Sequence, residues 1–187
     1  FDDFGTSAVT LDLAEGGSYV FDLSDSSNDG HPMKFSTTAN GSHGGGSTYS
    51  TGVTYELDGV GKTESEYVSG FNAASSRLLK ITVAASAPTL NYFCHYHSGM
   101  GGAINTNSTL GSSNFDGTTQ STVKANATAG FSIVSYKGNG SSGNTVGHGL
   151  GVAPNLLIVK NRDYSDVWLI GSDQLGFTKQ IYLNLNN

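Results

Sequence analysis

Asn91-Tyr-Phe-Cys-His-Tyr-His-Ser-Gly-Met-Gly-Gly102 starts as an apolar strand and, after Cys94, becomes a glycine-punctuated loop. Working outward from it, four more short segments alternate apolar and polar residues: Ser18-Tyr-Val-Phe-Asp-Leu23, Met33-Lys-Phe-Ser-Thr37, Val53-Thr-Tyr-Glu-Leu57 and Leu78-Leu-Lys-Ile-Thr-Val83. A period of two puts one set of side chains on a core face and the other in water. Turn-forming runs lie between them, notably Asp25-Ser-Ser-Asn-Asp-Gly30 and Asn40-Gly-Ser-His-Gly-Gly-Gly-Ser47. Strands at this spacing predict an all-β fold, an antiparallel sandwich or barrel. Only Glu64 to Ser76 could hold a helical turn or two.

Composition points the same way. Ser, Thr, Asn and Gly make up 84 of the 187 residues, and all four favour turns, caps or strands over helix interiors. Lys and Arg number 9 against 15 Asp and Glu, a net charge of −6. Nine scattered cations cannot build a phosphate-binding surface, so nucleic acid is not expected as a partner. No stretch approaches the ~18 apolar residues of a transmembrane helix, so no membrane span is expected. The single Cys excludes an internal disulfide. Its thiol is therefore a packed core group, a nucleophile or a metal ligand.

Residues 1–104 read as one β-domain. Residues 105–120 are polar and read as a linker. A second β-rich domain over 121–187 follows, with strands at Phe131-Ser-Ile-Val-Ser-Tyr136, Leu156-Leu-Ile-Val-Lys160 (a buried one), Val167-Trp-Leu-Ile170 and Gln180-Ile-Tyr-Leu-Asn-Leu185. Phe1 opens in mid-pattern and Asn187 closes just after a strand-like run, so the chain is expected to be a fragment and its second domain incomplete.

One constellation carries chemistry. Cys94, His97 and Met100 follow a C-x2-H-x2-M spacing on a tight loop, and His31 stands upstream in Asp29-Gly-His-Pro-Met-Lys-Phe35. Two imidazoles, a thiolate and a thioether form the donor set of a blue-copper centre, because soft sulfur suits Cu(I) and imidazole suits both oxidation states. A neighbouring strand would have to deliver His31. Zinc, or a fold that has lost its metal, would use the same residues. His95 is expected to be exposed, His43 to be solvated in its glycine-rich loop, and His148 to be structural.

On these residues the first hundred positions resemble a cupredoxin domain. The resemblance implies a Greek-key β-sandwich in which His31, Cys94, His97 and Met100 hold one copper ion; the gap from His97 to Met100 is shorter than is usual in plastocyanin-like proteins. Two further stretches, Ser121-Thr-Val-Lys-Ala-Asn-Ala-Thr-Ala-Gly-Phe-Ser-Ile-Val-Ser-Tyr136 and Thr145-Val-Gly-His-Gly-Leu-Gly-Val-Ala-Pro-Asn-Leu-Leu-Ile-Val-Lys160, are similar to a β-domain of tail-fibre and other virion proteins of marine bacteriophages. His31-Pro-Met-Lys-Phe-Ser-Thr-Thr38 and Cys94-His-Tyr-His-Ser-Gly-Met-Gly-Gly102 are similar to cupredoxin-like modules in such proteins. These resemblances imply a structural or adhesive virion protein, outside the cell, partnered by copies of itself, other fibre subunits and a host surface receptor. A secreted or surface copper protein for electron transfer or copper sequestration is the alternative.

Enzymatic function is not expected. Gly138-Asn-Gly-Ser-Ser-Gly143 has the spacing of a dinucleotide loop, but four glycines and Pro154 in the next residues forbid the helix it must open. His43-Gly-Gly-Gly46 has no G-x-S-x-G nucleophile elbow to serve. Asp22, Asp25 and Asp29 lack calcium-loop spacing.

Overall fold

A computed structural model describes Asp2, Asp3 and residues 6–106 and 111–184. In chain order its elements are β1 (Asp2–Asp3), β2 (Thr6–Ser7), β3 (Leu11–Asp12), β4 (Ser18–Asp22), β5 (Met33–Ser36), β6 (Val53–Leu57), β7 (Val60–Lys62), α1 (Glu64–Gly70), β8 (Arg77–Thr82), β9 (Leu90–Cys94), β10 (Gly101–Asn105), β11 (Ser112–Asn114), β12 (Ser121–Asn126), β13 (Phe131–Tyr136), β14 (Leu156–Lys160), β15 (Trp168–Ser172) and β16 (Ile181–Tyr182). The protein is all-β apart from α1 and short 3-10 turns. Among the described residues no helix is long and apolar enough to cross a membrane.

The chain divides into two compact units: Phe1–Lys124 with Val134–Gly147, and Ala125–Ile133 with His148–Asn187. In the first, two four-stranded sheets form a sandwich-like pair, ordered β3-β10-β9-β5 and β4-β8-β6-β7. All pairings are antiparallel except β10 with β3. Alternation drives the burial. Leu79 and Ile81 of β8 and Tyr55 and Leu57 of β6 point inward, meeting Phe35, Leu90, Tyr92 and Ile104 of the other sheet in one core. That core also takes Tyr67 and Phe71 from the helical segment. Helix α1 starts where the sequence allows, at a capping box: the Thr63 side chain accepts from the Glu66 N–H, and the Glu66 carboxylate accepts from the Thr63 N–H.

Two buried cations hold the edges of this core. Lys34 donates to Glu64 Oε1 at 2.7 Å and lies 5.5 Å over the Phe93 ring. Arg77 donates to Asp29 Oδ1 at 2.6 Å and to the carbonyls of Ser24 and Asp25, with its guanidinium 4.9 Å from the Phe71 ring centre.

Residues 112–120, expected as part of a linker, carry β11 and tie into the first unit. Ser113 Oγ accepts from the Asp12 N–H at 2.7 Å, and the Gln120 amide donates to the Thr10 carbonyl at 3.1 Å. Thr122 likewise donates to the Asp12 carboxylate at 2.7 Å. Residues 107–110 of the expected linker, and Leu185 of the last expected strand, lie outside the described residues. The second unit is built on an antiparallel sheet of order β14-β15-β16. Strand β14 falls on Leu156–Lys160 as predicted, but it is exposed rather than buried along its apolar run. The apolar run identified a strand correctly; the covering layer it calls for is not among the described residues.

Candidate metal centre

The site forms where two neighbouring strands end. Strand β5 pairs with β9 in the register Met33↔Cys94. That register puts His31 two residues beyond the sheet, beside the cysteine. Pro32 fixes the backbone there, and its carbonyl accepts from the His95 N–H at 2.8 Å, carrying the strand pairing one step past Cys94. On the other side, the His31 N–H donates to the Asn28 carbonyl at 2.9 Å. Asn28 closes a short 3-10 turn capped by the side chain of Asp25, whose carboxyl is held below its ordinary range mainly by the hydrogen bonds from Ser27.

The loop after Cys94 folds back because its two ends bond each other: the Cys94 N–H donates to the Met100 carbonyl at 2.9 Å. Gly101 then passes so close to the Tyr92 carbonyl, at φ +154°, that no side chain would fit. This loop leads into β10, a strand that glycine-rich Gly101-Gly-Ala-Ile-Asn105 does not advertise in the sequence.

Three of the four expected ligands converge. Cys94 Sγ is 3.4 Å from His97 Nδ1 and 3.7 Å from His31 Nδ1. The two imidazole rings lie 4.6 Å apart, inclined at 49°. Cys94 is buried, His31 half-buried and His97 exposed. Met100 is partly exposed and lines the same cavity of about 510 Å³, with Leu23, Met33 and Tyr92 as its apolar wall.

The donors fit a soft cation. A thiol has one proton and can donate it to only one ring nitrogen, yet two are aimed at this sulfur. For metal–sulfur bonds of about 2.3 Å and metal–nitrogen bonds of about 2.05 Å, tetrahedral to trigonal angles require S···N separations of about 3.6–3.8 Å. The observed pair sits close to that range, so a small shift would seat an ion. Copper and zinc satisfy these distances equally; the thiolate–imidazole–thioether chemistry is what favours copper.

Sequence reasoning missed the groups that hold the loop. Asn40, in the left-handed conformation at φ +61°, accepts from the Gly99 N–H at 2.8 Å and donates to Ser98 Oγ at 3.0 Å. His43 is exposed, as expected, but its Nε2 is 3.1 Å from the Cys94 carbonyl oxygen. Both come from the turn around Gly41. A side chain at Gly41 would collide with the Phe93 ring, and its φ of +53° also favours glycine. The turn therefore packs directly on β9. The sequence signal was the glycine run at Asn40–Ser47, legible as a turn but silent about what the turn would touch.

His95 differs from its expected exposure. It is half-buried, and its Nδ1 has no hydrogen-bond partner among the described residues. Burial, then the nearby Lys34 charge, pushes its pKa below the ordinary imidazole value. It points away from Cys94, toward the Lys34–Glu64 pair. His148 accepts from the Leu150 N–H at 3.2 Å, a local turn contact.

No curated protein and no solved structure matches this chain. Residues 105–187 match a protein family described as a domain of unknown function, DUF7483, and all four expected ligands lie before that segment.

Proposed function

We propose that this chain is a structural or adhesive module of a virion fibre or surface appendage, acting outside the cell, whose first domain is a cupredoxin-like Greek-key sandwich that holds one copper ion at His31, Cys94, His97 and Met100. One observation carries the metal assignment: two imidazole nitrogens, delivered by separate parts of the chain, lie 3.4 and 3.7 Å from one buried thiol. The virion setting is supported by the sequence resemblance of both halves and by the low-charge, turn-rich composition. Such a surface loses little in salt water, where ion pairs are screened.

Copper bound there would link β5 to the β9–β10 loop in the folded state alone, and so stabilise it by mass action. The protein's own part is to orient the donors. Pro32 and the Met33↔Cys94 register place His31, and Asn40 holds the turn of the loop. No turnover chemistry is assigned to the site. Fibre subunits and a host surface receptor are the proposed partners.

A second reading, a secreted or surface copper protein for electron transfer or sequestration, draws on the exposure of His97 and Met100, which leaves the site open to a partner. Elemental analysis of the protein as isolated tests both: about one copper per chain is expected, and none, or zinc in its place, would overturn the assignment. A reversible one-electron couple with strong visible absorption would favour electron transfer over the structural role. In Cys94→Ser, copper retention should be lost; retention at the wild-type level would show that the ligands are elsewhere.

A further inference from the structure

The second unit presents an apolar sheet with nothing on it. In β14, Leu156, Leu157, Ile158 and Val159 are 57, 41, 53 and 42% exposed. The registers Ile158↔Ile170 and Lys160↔Trp168, with Ile170↔Ile181, place Leu156, Ile158, Trp168 and Ile181 on one face. Trp168 and Ile181 are 44 and 46% exposed. These six side chains leave on the order of 600 Å² of apolar surface per copy, the upper limit for a monomer's patch and close to the roughly 800 Å² each partner gives a stable interface.

Strand β14 is also an edge. In the order β14-β15-β16 its outer side carries no strand among the described residues. Natural edge strands are guarded by charge, proline or a bulge. Here four successive apolar residues carry none of these. Pro154 stands before the strand, and Asn161 ends it by accepting from the Asp163 and Tyr164 N–H groups.

We infer that β14 is a homodimer seam, pairing antiparallel with β14 of a second copy about a two-fold axis at Ile158. The strand is self-complementary in that register. Ile158 meets Ile158 of the second copy, Leu157 meets Val159, and Leu156 meets Lys160. The strand's one charge thus meets an aliphatic side chain and never its own copy. Pairing joins two three-stranded sheets into one of six and satisfies the open backbone groups. A foreign partner would have to supply the same apolar, uncharged edge that a second copy already offers. The inference is independent of the metal centre; a monomer with its copper site intact would overturn it alone.

The test is sedimentation equilibrium on the full chain. Wild type should show twice the 19.4 kDa chain mass. Ile158→Lys and Ile158→Glu should each be monomeric, because each sets like charges face to face across the axis. Their equimolar mixture should regain the doubled mass. A monomeric wild type, a mass of three or more chains, variants that still dimerise, or a mixture that stays monomeric would each overturn the seam. Hydrogen exchange on wild type gives a reading that needs no variant. Amides of β14 should be protected at high concentration and lose protection on dilution, whereas concentration-independent exchange refutes the pairing.

Discussion

Replacing Glu64 with Gln tests whether the buried Lys34 is held by its ion pair. The Lys34 side chain is 4% exposed, and its ammonium meets Glu64 Oε1 at 2.7 Å; the Glu64 side chain is 39% exposed. Removing one partner of a fully buried pair costs about 3–5 kcal/mol, because the other charge is stranded. Water reaches Glu64, so a smaller loss is expected, about 2 kcal/mol. For a unit of this size that lowers the melting temperature by about 6 °C. The converse change should be milder. In Lys34→Met the stem is replaced by an apolar chain of similar length, and Glu64 turns to solvent, so the loss should stay below about 1 kcal/mol. Adding Lys34→Met to Glu64→Gln should recover most of the stability. Acid dependence provides a second reading. Burial raises the Glu64 pKa, but the hydrogen bond and charge of Lys34 and the hydrogen bond from Thr48 outweigh it, and the carboxyl sits below its ordinary 4.5. A lowered folded-state pKa contributes stability present above the unfolded value and lost as pH falls through the folded one. Wild type should therefore lose stability on acidification below about pH 4.5, and Glu64→Gln should lack that component. Thermal unfolding by near-ultraviolet circular dichroism, in metal-free buffer from pH 3 to 7, measures both. If Glu64→Gln and the double variant were equally destabilised, the stranded lysine could not be the cause and the argument would fail.

Three further outcomes follow from the same geometry. Asn40→Ala removes both bonds that hold Ser98 and Gly99, and should weaken copper affinity about 10-fold in a chelator competition while leaving the metal-free fold intact; unchanged affinity would mean the loop holds itself. His95→Ala should change that affinity by less than about 3-fold, since the ring points away from Cys94, and a large loss would reassign the ligands. Arg77→Lys keeps the charge but cannot reach Asp29, Ser24 and Asp25 together; a drop of about 2 kcal/mol in a denaturant titration is expected, and no change would show that the fork geometry is irrelevant.

The alternating strands were legible because they depend on local order. Val53–Leu57, Phe131–Tyr136 and Leu156–Lys160 stand where their patterns put them, and a helix occupies the start of the one segment able to form it. Strand β10 was not legible, because Gly101-Gly-Ala has no side-chain pattern to read and is held by pairing with β9. The site divides in the same way. The C-x2-H-x2-M spacing nominated Cys94, His97 and Met100, and the soft donor set brought in His31. Its closeness to Cys94 across 63 positions is a product of the β5–β9 register. Asn40 and His43 could not be found at all, since their role lies in what a glycine turn lands on.

Residue chemistry and periodicity thus determined which segments are strands and which side chains are suited to a soft metal, because both follow from neighbours close along the chain. Sheet order, the meeting of His31 with the thiol, the burial of Lys34 and the bare edge of β14 were decided only in three dimensions. Each depends on contacts between segments far apart in sequence, where pairing register and packing select among arrangements that local patterns leave equal.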